Sequence, residues 1–402
     1  MTDDQEEGGI FLSGHTNIAK NDLIQDVLRW TDSSESWFTS GLITAPTCSV
    51  NYGTAGIAYA LYRIATIKND SRLLSLADLW SMRAKSNMGY EGAFYSTKLD
   101  LTPKTVGHIS PYHTASGVFA VRALISKAMG DITSLQESVN GFISASNAPC
   151  EKLDLTLGKS STLIASSLLL DTIKDSNLHV RSSLMQLGNQ TMNDIWDQIN
   201  CLQHISKEEK VSFLGIAHGW AGLLYTTMRW CQTSGQRMPD QMEDRLRQLA
   251  EFAEPTGRGV HWLRKHNIKR NRSDDYMSGW CNGSTGFVYL WTRAHKMLGD
   301  DAYLELAEKA AWNTLEEPST ISNLCCGIAG QAYALLNLYK YTNQTVWLHR
   351  AEEMANRAAI GIRSTSFSKA SLYKGEVGVA VLVADMSNPD LSSMPFFEQE
   401  GW

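Results

Sequence analysis

Seven times along the chain, two small residues three positions apart head an apolar, helix-favouring run. The copies begin at Gly53-Thr-Ala-Gly56, Thr114-Ala-Ser-Gly117, Gly158-Lys-Ser-Ser161, Gly219-Trp-Ala-Gly222, Gly283-Ser-Thr-Gly286, Gly327-Ile-Ala-Gly330 and Gly375-Glu-Val-Gly378, at spacings of 44 to 64 residues. A period of this size marks a helical repeat, in which each unit buries its apolar face on its neighbours. Small residues at a helix head let backbones approach closely and leave main-chain N–H groups free there. A second element opens at Leu74, Leu135, Leu304 and Leu348, each 21 residues beyond its own motif. These segments are amphipathic, as in residues 301–312, and put charge on one face. Each unit therefore predicts an inner helix buried on nearly all sides, a short turn, and an outer helix with one wet face.

Units of this kind stack into an open solenoid or a closed ring. A solenoid needs polar capping repeats, and both terminal copies here are ordinary. The expected fold is all-α: an α/α toroid of seven inner and about seven outer helices. Residues 1–45 are read as an N-terminal helical lead-in with one helix-like stretch at 22–30, and residues 46–402 as a single toroid domain. The longer gaps, about 86–112, 180–210 and 254–278, are expected to be loops or insertions. The last gathers Arg258, His261, Arg264, Lys265, His266, Lys269, Arg270 and Arg272. Such a cluster is either a solvated loop or a dock for an acidic peptide.

Composition excludes several other classes. With 43% hydrophobic and 19% charged residues the chain is globular rather than disordered. Its net charge of −6 leaves no basic surplus for a phosphate backbone, so nucleic acid is not an expected partner. No apolar run approaches the ~20 residues of a membrane span. The acidic opening, residues 1–7, lacks the basic and apolar regions of a secretory signal. A cytoplasmic protein is expected, and seven cysteines in a reducing compartment are more often buried, metal-bound or catalytic than paired.

Three copies carry metal-type residues at equivalent places. The residue before the first glycine is His218, Asn282 or Cys326, and a cysteine stands one place earlier at Cys281 and Cys325. In a toroid all of these converge on the axis at one end of the inner helices. One Zn²⁺ per chain suits Cys281, Cys325 and Cys326, with a fourth position open as in catalytic zinc sites. The alternative is that small thiols fill a tight helix crossing. His113 holds in the second copy the place that His218 has in the fourth, which turns it toward the cavity or leaves it a capping or packing role; His108 lies nearby. Trp220, Trp280 and Trp291 read as core.

The segments GIAHGWAG, WCNG and CCGIAG, in this order across seven such repeats, resemble the lanthionine synthetase C-like cyclases. The resemblance runs from Gly53 to the C-terminal MPFFEQEGW. It implies an α/α toroid with a central zinc that adds a peptide cysteine thiol to dehydroalanine or dehydrobutyrine, giving a (methyl)lanthionine thioether ring. His218 matches the family's acid/base histidine. Asp154 matches the carboxylate heading the third repeat, where it would orient His218 or hold one tautomer; the alternative is a helix cap. The implied partner is a dehydrated precursor peptide with a leader. No kinase or lyase region is read here, so dehydration falls to a separate dehydratase or kinase/lyase.

Three positions depart from the commonest family pattern. Cys326 stands where a histidine is usual, giving an all-thiolate site; Asn282 stands where a tyrosine is frequent; Met277 stands where an arginine is usual. Enolate stabilisation then passes to another cation, with Arg270 and Arg272 as candidates. Two alternatives to a peptide cyclase remain: an enzyme of the same chemistry that adds glutathione or another thiol, and a non-catalytic zinc-stabilised scaffold that binds a leader-like peptide.

Overall fold

Each apolar run behind a small-residue motif folds as a helix and turns sharply into its amphipathic partner. The computed structural model describes residues 22–32, 43–176, 178–268, 275–363 and 369–398. Helix α1 covers residues 22–32. The first hairpin is α2 (Thr54–Lys68) and α3 (Ser71–Asn87). Asn69 ends α2 in the left-handed region at φ 51°, and the Asp70 carboxylate caps α3 by accepting from the N–H groups of Arg72 and Leu73. After a single turn, α4 (Pro103–Val106), the second hairpin is α5 (Ala115–Met129) with α6 (Ile132–Ser146). The third pairs α7 (Lys159–Thr172) with α8 (Val180–Ile199), and the fourth α9 (Trp220–Ser234) with α10 (Met242–Ala250). A small antiparallel ribbon, β1 (Glu254–Thr256) and β2 (Gly259–His261), precedes α11 (Ser284–Leu298) and α12 (Asp301–Glu316). The hairpin α13 (Ile328–Thr342) and α14 (Thr345–Ile362) leads to the last inner helix, α15 (Glu376–Asp385).

Among the described residues, the seven small-residue motifs head seven inner helices, and α15 packs back on α2 to close the ring. Arg63 of α2 and Asp385 of α15 are joined by two hydrogen bonds of 3.0 Å, with both side chains at most 1% exposed. Tyr333 donates to the same carboxylate, and Arg63 also donates to Tyr59 and Ser393. Among the described residues the last repeat has no outer helix of its own, and α1 stands in that place. Asp26 of α1 accepts from Arg363, just past α14, at 2.6 Å, and Trp80 of α3 donates to the Thr31 carbonyl at 3.2 Å. One expectation is corrected. Residues 180–199 are the third outer helix rather than part of a loop, with Leu184, Leu187, Ile195 and Ile199 on the buried face. The remaining gaps hold only short elements.

Where the second small residue of a motif is glycine, it lies under its own loop. A Cβ at Gly222 would sit 2.0 Å from the Ile216 carbonyl oxygen, and one at Gly330 would sit 2.1 Å from that of Leu324. The loop that carries Cys325 and Cys326 thus rests directly on the Gly330 backbone. Gly330→Ala is expected to lower stability by about 1–3 kcal/mol through overpacking and to weaken metal retention; urea unfolding and metal analysis would check both.

The bore is filled from the far end by the C-terminal segment. Met394, Phe396 and Phe397 are at most 1% exposed. Phe397 stacks on Tyr225 at 4.5 Å and meets the Trp280 edge at 5.3 Å. Tyr112 donates to the Phe396 carbonyl at 3.0 Å and Tyr373 to the Pro395 carbonyl at 2.6 Å.

Candidate metal centre

A belt of main-chain hydrogen bonds links the loops that precede the inner helices. The N–H of Asn51 donates to Tyr112 O at 2.9 Å, Thr156 to Ala217 O at 3.2 Å, and Ala217 to Cys281 O at 2.9 Å. Cys281 donates to Cys325 O at 3.1 Å, Cys325 to Tyr373 O at 3.0 Å, and Leu372 to Asn51 O at 3.0 Å. Between the second and third loops the Ser110 hydroxyl donates to Thr156 O at 2.5 Å. The residue after each of these register positions is, in order, Tyr52, His113, Leu157, His218, Asn282, Cys326 and Lys374.

This register brings Cys281, Cys325 and Cys326 together. Sγ of Cys326 is 3.4 Å from that of Cys281 and 3.5 Å from that of Cys325, and all three sulfurs lie within 4.8 Å of one another. Tetrahedral zinc with Zn–S near 2.3 Å spaces its sulfurs by about 3.8 Å, so the spread suits one ion. All three are free thiols. Hydrogen bonds from Cys281 and Cys325, aided by Lys374 and His218, hold Cys326 down to about 3. For Cys281 the hydrogen bond with Cys325 acts downward, but that with Cys326 and burial together push it up to about 12. Three sulfur donors this close fit a soft divalent metal.

His218 sits beside the trio, its side chain 37% exposed. Its Nδ1 is 3.0 Å from Thr156 Oγ1, which donates to Asp154 Oδ1 at 3.1 Å. The direct Nδ1–Oδ1 distance is 3.5 Å, too long for a hydrogen bond. Asp154 therefore reaches His218 through Thr156. The relay places the proton on Nδ1 and leaves the Nε2 lone pair unused. Asp154 Oδ1 also accepts from the N–H groups of Thr156 and Leu157 at 2.9 and 2.7 Å, so it caps the loop as well. The helix N-cap itself is Gly158. A cavity of about 600 Å³, lined by Lys152, Asp154, Lys210, Phe213 and His218 among others, opens beside this relay.

His113 is buried, with Nδ1 lacking a hydrogen-bond partner. Burial pushes it down to about 4, partly offset by Asp154, so its imidazole is neutral at pH 7. Lys374 hydrogen-bonds Tyr52 and lies within electrostatic reach of Cys325 and Cys326. Sequence reasoning missed Lys374, Tyr52 and Thr156. The first two hold the place of His218 in the seventh and first copies, a signal that was present; the role of Thr156 emerges only when two copies meet. His108 instead pairs with Tyr95, Nδ1 to hydroxyl 3.1 Å. Asn282 lies beside the trio with Oδ1 buried and without a partner. Arg270 and Arg272 lie outside the described residues. Much of the basic cluster is engaged locally: Arg258 pairs with Glu316 at 2.6 Å, His261 stacks on Tyr276 at 3.9 Å, and Lys265 lies 4.3 Å over the Phe213 ring. Trp220, Trp280 and Trp291 are core.

The family model for lanthionine synthetase C-like proteins matches residues 46–399. The chain belongs to the lanthionine synthetase C-like family. Nisin cyclase has the same fold, with a TM-score of 0.65 at 15% identity over 95% of this chain and 96% of that one. The chain is 29% identical to "Glutathione S-transferase LANCL1" of Danio rerio over 214 residues, 51% of this chain and 50% of that protein. It is 26% identical to "LanC-like protein GCL1" of Arabidopsis thaliana over 195 residues, 46% of this chain and 43% of that one. The chain spans about half the length of these curated relatives. Among the described residues no helix is long and apolar enough to cross a membrane.

Proposed function

We propose that this LanC-like chain is a zinc-dependent enzyme that adds a thiol to a dehydroalanine or dehydrobutyrine residue, and that a cysteine of the same dehydrated peptide is the thiol, so that a (methyl)lanthionine ring closes. The juxtaposition of Cys281, Cys325 and Cys326 with the His218 relay, beside a cavity, carries this reading. Cys281, Cys325 and Cys326 would hold one zinc, which when bound lowers the pKa of a substrate thiol until the thiolate is the resting form. His218 Nε2 takes the thiol proton. The C–S bond forms at Cβ as the C=C electron pair moves toward the carbonyl, and His218 returns the proton to Cα. Asp154 and Thr156 fix the tautomer and support the imidazolium. Lys374 supplies positive charge for the enolate oxygen, in place of the arginine that Met277 replaces.

One observation favours a second thiol: the name of the zebrafish relative is a glutathione S-transferase. Incubation with a dehydrated cysteine-containing peptide, with and without glutathione, separates the readings. Loss of alkylatable thiol at unchanged mass marks cyclisation, a glutathione adduct marks the second, and neither marks a scaffold. His218→Gln is expected to keep zinc and slow thioether formation by ~100-fold or more, the scale of a lost general acid/base; zinc loss in that variant would make His218 a ligand instead.

Cys326→His would recreate the commoner site of two thiolates and one imidazole. Imidazole is neutral, so the donor set loses one negative charge, and the substrate thiolate is expected to attack more slowly. Zinc and fold should be retained, with the largest loss on rings that are hard to close. Equal single-turnover rates for both proteins across several peptides would show that Cys326 is a neutral replacement.

A further inference from the structure

We propose that the cavity at the opposite end of the barrel from the cysteines is a binding site for a phosphate group. It encloses about 340 Å³ between the last turns of α11 and α13 and the C-terminal segment. Arg293 and Lys296 come from α11 and Lys340 from α13. Burial, then Arg293, Arg229 and Lys340, hold Lys296 below the usual lysine range, the sign of a cation crowded by other cations.

Two carboxylates, Glu398 and Asp390, also line the cavity, and each has protein partners. Glu398 accepts from Asn337 Nδ2 and from the Met394 N–H, each at 2.7 Å, and lies 3.9 Å from Lys340. Asp390 hydrogen-bonds Tyr339, and Asp171 pairs with Arg229. Arg293 donates to Gln232, and Lys340 to the Ser392 carbonyl. Among the described residues Lys296 has no anionic partner. The decisive group is Tyr289. It lines the cavity, is 1% exposed, and its hydroxyl has no hydrogen-bond partner. A buried hydroxyl left unsatisfied is costly, and native structures leave few such groups unexplained. Asn337 Oδ1, on the same wall, is likewise buried and unpartnered.

The set of orphans decides the ligand class. Lys296 and Tyr289 offer donors, whereas Asn337 Oδ1 offers only an acceptor. A carboxylate satisfies the donors alone. A monohydrogen phosphate accepts from Lys296 and Tyr289 and donates its own O–H to Asn337. Inorganic phosphate and the phosphate group of a small metabolite share this chemistry.

The bland account of these lysines is that they complement the negative ends of α11 and α13, which predicts no ligand. The test uses the full, zinc-loaded chain at constant ionic strength. Millimolar inorganic phosphate should raise Tm saturably and broaden the ³¹P resonance, with chloride and acetate inert. Lys296→Met should weaken binding by roughly ten- to a hundredfold, the worth of one charged hydrogen bond. Tyr289→Phe removes only the hydroxyl and keeps the ring against Phe397, so a smaller but clear loss there is expected without a folding defect. A phosphate monoester binding as well as inorganic phosphate would assign the site to metabolites. The proposal is overturned if phosphate has no saturable effect, if acetate matches it, or if both variants bind phosphate as the parent does.

Discussion

Cys281→Ala should purify with little or no zinc and form thioethers no faster than the uncatalysed reaction. Cys281 is one of three sulfurs within 4.8 Å of one another, and two thiols cannot close the same tetrahedral face. Cys325→Ala and Cys326→Ala should behave alike. Far-UV circular dichroism should change little, because the core of seven inner helices and their outer partners does not depend on the site. Metal analysis of the purified variants decides the matter. Full zinc in Cys326→Ala would break the ligand set and bring His218 or His113 forward as the third donor.

The second large effect concerns stability. Arg63→Met leaves the Asp385 carboxylate at 1% exposure without its cation, facing Tyr333 and Ser393 alone. Breaking a buried pair from one side costs about 3–5 kcal/mol, and here it opens the joint between the first and last inner helices. Urea unfolding of the zinc-loaded protein should show the loss as a lower midpoint. Replacing both partners by apolar residues, Arg63→Met with Asp385→Leu, should restore much of it. A single-variant cost below about 1 kcal/mol would mean that water reaches the pair.

The inner ring was legible because six of the seven copies have glycine at the second small position, where a loop carbonyl leaves no room for a side chain. The outer ring was legible only where a Leu-x-x-Ala head repeats. Helix α8 lacks that head and is rich in Gln, Asn and Ser, and α1 comes from a part of the chain that shows no repeat. Around the axis, Cys281, Cys325, Cys326, His218 and Asp154 stood out by residue type. Lys374 and Tyr52 share the register but are ordinary residues, so chemistry gave no alarm. Thr156 could not be foreseen, since its hydroxyl acquires meaning only between a carboxylate and an imidazole from two different copies. The engagement of the basic loop could not be read from sequence, since Glu316 and Phe213, which hold Arg258 and Lys265, lie on other elements.

The C-terminal segment also sets the order in which this molecule can be completed. Pro395, Phe396 and Phe397 support Tyr373, Tyr112 and Trp280 from below, and these are neighbours in sequence of Lys374, His113 and Cys281. The keystone of the arch therefore follows all six hairpins in chain order. Until that segment has emerged, six hairpins can form but their mouths have no floor. A nascent or truncated chain ending before residue 394 should hold helices without an assembled metal centre, so thiol activation waits until this segment is in place.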